Sequence, residues 1–187
     1  HVPSLANAMT QTPGLSALAK RIGGIAPQRR IPRYAGQSFT RWFAARARPQ
    51  PHGPRVMLWP DTFNNYFRPQ TAIAATRVLE ALGFNVVIPS RPLCCGRPLY
   101  DWGMLAKAKR LWNETLATLE PEIENGTPII GLEPACVSAF RDELPALFPG
   151  NEMAQHLAGQ TRFISEFLDR ACGDAVPRAG GSALVHL

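Results

Sequence analysis

Between residues 1 and 55 there is no aspartate or glutamate, although nine lysines and arginines fall in that stretch. The overall charge of +6 therefore hides two unlike parts, an N-terminal arm of +9 and a remainder of −3. Cysteine is also scarce. Four in 187 residues are too few for a disulfide-built scaffold. No apolar run approaches the roughly 20 residues that span a bilayer. The opening has no charged start followed by an apolar block, so no secretory signal is expected. The first residue is His1, and the native start is expected upstream of it. There is no C-x-x-C, which excludes a standard zinc ribbon or ferredoxin cluster. There is no G-x-G-x-x-G and no Walker A sequence, and no Ser–His–Asp set stands out.

What is present is a chain that should fold. Apolar residues make up 45%, and 18 prolines with 15 glycines fit many turns better than long helical arrays. Residues 1–54 read as a basic helical arm with a linker. Leu15, Leu18, Ala19 and Ile22 form one apolar stripe that ends at Gly23-Gly24, and Phe39, Trp42 and Phe43 form a second after the helix cap Ser38. The run Arg48-Pro49-Gln50-Pro51-His52-Gly53-Pro54 marks the best domain boundary. Such an arm packs against another part of a larger protein or meets an anionic surface. Pro3, Pro13, Pro27 and Pro32 speak against a long amphipathic transit helix. Aromatic interleaving is sparse, so nucleic acid is not an expected partner.

From residue 55 the pattern changes. Strands are expected at 55–59, 84–89 and 128–132, with helices at 69–82, 101–119, 135–147 and 152–171. A further strand would begin at 183, after a turn-rich stretch at 173–182. This alternation predicts an α/β domain over 55–172, with a parallel sheet and helices on both faces. Residues 173–187 read as a linker and the start of a truncated second repeat.

Three unusual clusters each follow an expected strand: Trp59-Pro60-Asp61, Leu93-Cys94-Cys95-Gly96-Arg97, and Glu133-Pro134-Ala135-Cys136. In a parallel sheet the carboxyl ends of the strands share one edge, and ligands bind in the crevice there. Asp61, Cys94, Cys95, Glu133 and Cys136 are therefore expected to converge. Thiolates are soft ligands for iron clusters or zinc. Gly96 allows a tight turn beside a bulky group. Cys136 falls in the first turn of a helix, which favours a thiolate. Arg97 is a candidate to hold negative charge, and Asp61 and Glu133 are candidate oxygen ligands. The blander alternative stays open, because a lone cysteine is ordinarily a small buried hydrophobe. That reading suits Cys172, and His156 reads as a surface or satisfied core residue. Asn113-Glu114-Thr115 matches a glycosylation sequon by chance, since it falls within an expected helix.

The segment from Arg55 to Phe167 resembles the CCG, or cysteine-rich, domain of iron–sulfur dehydrogenases. The family pattern is a cysteine, then Cys-Cys-Gly, then C-x-x-C at a similar gap. Here Asp61 stands at the first position, with 32 residues between it and Cys94. Cys94-Cys95-Gly96 match the centre, and Glu133 and Cys136 stand at the last pair. The runs WPDTFNNYF, LCCGRPLYDWGML, GLEPACVSAFRDELP and FISEFL are similar to FAD-linked oxidoreductases of the D-lactate dehydrogenase or glycolate oxidase type. The resemblance implies a fragment of the iron–sulfur (4Fe-4S) electron-transfer region of an FAD-dependent 2-hydroxy-acid dehydrogenase, inactive alone. It implies metal ligation by Cys94, Cys95 and Cys136, with Asp61 and Glu133 in cysteine positions. The implied partners are FAD and ferredoxin-like domains of a parent protein and a quinone or other acceptor. The implied location is cytoplasmic, with peripheral contact at the inner membrane. Residues 1–54 resemble the tail of a ferredoxin segment, and Ser182 to Leu187 the entry to a second repeat that begins its motif at His186. Two readings compete with this one: an assembly module with a degenerate cluster site, and a zinc or thiol-redox site.

Overall fold

A computed structural model describes residues 3–47 and 52–173. Four short strands form one all-parallel sheet: β1 (Arg55–Leu58), β2 (Asn85–Val87), β3 (Ile129–Gly131) and β4 (Thr161–Phe163). Their order across the sheet is β2-β1-β3-β4, with Val56 opposite Val86, Met57 opposite Ile129, and Ile130 opposite Arg162. Helices cover both faces, as the alternation of strand and helix predicts.

The period of two in the strands builds two cores. Met57, Val87 and Ile129 point to one face, against Trp112, Leu119 and Ile123 of α7 (Leu105–Glu124) and Leu157 of α10 (Glu152–Gln160). Val56, Leu58, Val86 and Ile130 point to the other, against Phe39 and Phe43 of α3 (Phe39–Ala45), Leu79 of α5 (Pro69–Ala81) and Phe167 of α11 (Ile164–Cys172). Both faces bury apolar side chains, which is why the strands are short apolar runs with no polar alternation.

Two elements differ from the sequence expectation. The helix expected over 152–171 is two helices, because Thr161–Phe163 leaves the helical path and pairs with β3. Thr161 closes α10 by donating its hydroxyl to Leu157 O at 2.7 Å, and its branched side chain then suits the strand. The long helix begins at Leu105 and not near 101, because Gly103 turns in the left-handed region at φ +69° after a separate α6 (Arg97–Asp101).

The first two helices of the arm are held by polar clasps more than by burial. α1 (Pro3–Gln11) and α2 (Pro13–Ile22) contain no buried residue, so the stripe Leu15, Leu18 and Ile22 lies exposed. Asn7 exchanges two 2.8 Å hydrogen bonds with the backbone of Tyr34. The Tyr34 ring packs on Phe67, and the Ala35 N–H donates to Tyr66 O at 2.8 Å. Ser38 caps α3 as expected, accepting from the Arg41 N–H. Of the expected boundary at 48–54, residues 48–51 lie outside the described residues. So do the expected strand from 183 and His186.

Candidate functional site: a row of thiols at the carboxyl edge

The loops that leave β1, β2 and β3 all emerge on one edge of the sheet, because the strands are parallel. The β2 loop carries Cys94 and Cys95, and the β3 loop leads into α8 (Pro134–Ser138), which carries Cys136. Cys94 is exposed, whereas Cys95 and Cys136 are buried, and all three are free thiols. They form a row. Cys95 interacts with Cys94 on one side and with Cys136 on the other. The contact with Cys95, and burial after it, push the Cys94 thiol far above its ordinary value. Cys95 is pushed up to about 12, first by its contact with Cys136, against the opposing effect of Cys94, with burial adding to the rise. Backbone N–H groups act the other way: those of Gly96 and Cys95 lower Cys94, and that of Arg97 lowers Cys95. Backbone amides thus favour the thiolate, while burial and a neighbouring sulfur favour the neutral thiol.

The Cys94-Cys95-Gly96 loop is rigidly seated. Gly96 has φ +79°, and a Cβ there would collide with the indole of Trp112, 2.9 Å from Cε2. The same indole donates from Nε1 to Cys95 O at 2.7 Å in a buried hydrogen bond. Beneath Cys136, Trp59 and Phe140 meet edge-to-face at 4.7 Å. Trp59 Nε1 is buried with no hydrogen-bond partner, and it borders a cavity with Cys136 that is too narrow for water.

The carboxylates do not join this row. Asp61 sits at the end of β1 and is 3% exposed, but its side chain caps α4 (Thr62–Tyr66). Oδ1 accepts from the N–H groups of Phe63 at 2.9 Å and Asn64 at 3.0 Å, and Oδ2 accepts from Asn64 Nδ2 at 2.7 Å. Both oxygens are thus engaged by donors at the helix end, and the expectation that Asp61 serves as an oxygen ligand does not match this geometry. Glu133 precedes α8 with its side chain half-buried and makes no cap bond. Arg97 holds negative charge within the protein. Its guanidinium faces Asp101, Glu143 and Ser138, so it is committed to protein carboxylates and not left to hold an external charge. His156 is exposed on α10. Among the described residues, no three His, Cys, Asp or Glu side chains stand where one metal ion would touch them all.

A thiophilic group nevertheless suits what is here. The backbone amides directed at Cys94 and Cys95 favour anionic sulfur, and thiolates are soft ligands for iron clusters. Sequence reasoning missed Trp112, Ser138 and Glu143. Trp112 reads as a plain apolar helix residue, and the only signal for the other two is that they follow Cys136 closely in the chain.

Comparison with known proteins finds matches that include this edge. Residues 61–141 match the CCG cysteine-rich domain. The chain is 29% identical over 146 residues to a subunit of the anaerobic glycerol-3-phosphate dehydrogenase of Escherichia coli K12, covering 76% of this chain and 37% of that protein. It is 30% identical over 123 residues to lactate utilization protein A of Bacillus velezensis, covering 64% of this chain and 50% of that protein. The same protein of Bacillus subtilis is 26% identical over 123 residues, with the same coverage. The chain thus spans half or less of the length of these relatives. No solved structure matches it.

Proposed function

Because residues 61–141 carry a CCG cysteine-rich domain, we propose that this chain works in the iron–sulfur electron-transfer region of an FAD-dependent 2-hydroxy-acid dehydrogenase of the D-lactate or glycolate type. The observation that carries this reading is the thiol row Cys94–Cys95–Cys136 at the carboxyl edge of the sheet. Those three residues would hold an iron–sulfur group, which supplies one-electron transfer when bound. This chain's own residues do the positioning. Trp112 fixes the Cys95 carbonyl, Gly96 allows the turn, and backbone amides meet the sulfurs. The names of the relatives, one part of a dehydrogenase and one a lactate utilization protein, support a dehydrogenase setting. FAD and ferredoxin-like domains of a parent protein are the partners, with a quinone or similar acceptor.

The basic arm supports a peripheral contact with an anionic membrane. Leu15, Leu18 and Ile22 are exposed on α2, beside Lys20 and Arg21. No helix among the described residues is long and apolar enough to cross a membrane.

One observation favours a second reading. Asp61 is used as a helix cap, and among the described residues no three ligating side chains stand around one metal position, which favours an assembly unit with a degenerate cluster site. The test is made in the dehydrogenase that contains this chain, with Cys94, Cys95 and Cys136 replaced together by serine. On the electron-transfer reading, the hydroxy acid still reduces the flavin in a stopped-flow trace, but the acceptor is no longer reduced. Unchanged acceptor reduction would establish the assembly reading instead.

A further inference from the structure

Arg97 follows the Cys-Cys-Gly turn directly, and it reaches across to the segment that follows Cys136. Its Nε donates to Asp101 Oδ1 at 2.7 Å, one helical turn along α6. Its Nη1 donates to Glu143 Oε1 at 2.7 Å and to Ser138 Oγ at 3.1 Å. Ser138 Oγ in turn donates to Glu143 Oε1 at 3.3 Å. The bond to Asp101 is local, but the bonds to Ser138 and Glu143 join loops more than 40 residues apart in the chain.

The backbone explains how two residues five apart meet one guanidinium. After α8 the chain winds as a π-helix over Ala139–Glu143 before α9 (Leu144–Leu147). In an α-helix, residues i and i+5 face different sides, whereas the i→i+5 pattern of a π turn aligns them. Ser138 and Glu143 therefore present one polar pair on the side of Arg97. π turns inserted between α-helices are frequent at functional sites. The Glu143 side chain is only 15% exposed and that of Arg97 31%, so solvent screens this pair less than a surface ion pair.

We infer that Arg97 and Glu143 form a latch that holds the Cys95 loop against the Cys136 helix, making Arg97 a positioning residue for the thiol row. The inference builds on the reading of that row as the site, but it concerns protein contacts alone. The Cys95–Cys136 contact is the one that crosses between loops, and the latch is the polar bond that spans the same gap. With the latch opened, Cys95 and Cys136 separate and become accessible, while exposed Cys94 is unaffected.

The test is site-resolved alkylation of the metal-free chain with N-ethylmaleimide, followed by mass spectrometry, with Cys94 as the internal reference. In Arg97→Ala, Cys95 and Cys136 are expected to react about tenfold faster, the factor that corresponds to about 1.4 kcal/mol. Glu143→Gln should give a similar gain, and the double variant no more than either single one, as for a coupled pair. The direction separates a latch from a mere electrostatic effect. Removing a cation disfavours thiolate, so a purely electrostatic role for Arg97 would slow alkylation. Arg97→Lys keeps the charge without the fork and should fall between. The remote Arg55→Ala, at the amino end of β1, breaks only the pair with Glu122 and should leave all three rates unchanged. Should Arg97→Ala fail to fold, Glu143→Gln and Arg97→Lys carry the same test. Unchanged or slowed rates at Cys95 and Cys136, or an equal rise in Arg55→Ala, would overturn the latch. Neither result bears on whether iron binds, which a separate metal analysis decides.

Discussion

The indole N–H of Trp112 and the backbone carbonyl of Cys95 form a buried 2.7 Å hydrogen bond, and Gly96 stands where any side chain would strike the same indole. Both the positive φ and the missing Cβ are therefore required at that position. Gly96→Ala should destabilise the fold by about 2–4 kcal/mol, from left-handed strain and overpacking together. Denaturant unfolding measures this. A loss below about 0.5 kcal/mol, the scale of an ordinary surface substitution, would show that the loop is free to move.

Asp61 gives a prediction that separates a cap from a ligand. Asp61→Ala removes the acceptor for two helix-end amides and for buried Asn64, at a cost of about 1–2 kcal/mol. Asp61→Asn keeps a good capping side chain and should cost little. In both variants the iron content after anaerobic reconstitution should equal that of the wild type. Iron that falls in both would mean the carboxylate is a ligand after all.

Glu122 predicts a pH dependence. Burial works to raise its carboxyl, but hydrogen bonds from Arg55 and Thr127 outweigh burial and hold it below its ordinary value of 4.5. Arg55 begins β1 and Thr127 precedes β3, so this carboxylate ties both strands to the end of α7. A depressed folded-state value contributes stability that is fully present above the unfolded value and is lost as pH falls through the folded one. The gap in melting temperature between the wild type and Glu122→Gln should therefore be constant above about pH 5.5 and narrow below 4.5. A gap that widens in acid would reverse the sign and contradict the assignment.

The arm predicts salt-sensitive lipid binding. The chain should co-sediment with vesicles containing phosphatidylglycerol but not with pure phosphatidylcholine. Binding should weaken as salt rises, because charges separated by more than about 10 Å are screened at 0.1 M. Lys20→Glu with Arg21→Glu should abolish it. Binding that survives both changes, or no binding to either vesicle, would remove the membrane contact and leave a protein partner for the exposed stripe of α2.

The parallel sheet and its edge were readable from the sequence, because each short apolar run is followed by a cluster of residues unusual for a plain loop. Cys94, Cys95 and Cys136 do meet there. The capping role of Asp61 went unread, although a signal was present: an aspartate just before the first turn of a helix is a preferred cap. Strand β4 was hidden because Thr161–Phe163 interrupts an otherwise helical periodicity for only three residues. Of the Arg97 partners, Asp101 is local and readable at i+4, whereas Ser138 and Glu143 lie beyond residue 137 and depend on a π turn that no local pattern announces.

The most direct test of the central claim is iron and acid-labile sulfide analysis of protein reconstituted and purified without oxygen, together with its visible spectrum. The account predicts iron with sulfide and charge-transfer absorption, both lost when Cys94 and Cys95 become serine. Protein with no iron, or with zinc and no sulfide, would contradict it and leave an assembly module or a zinc–thiol site at the same edge.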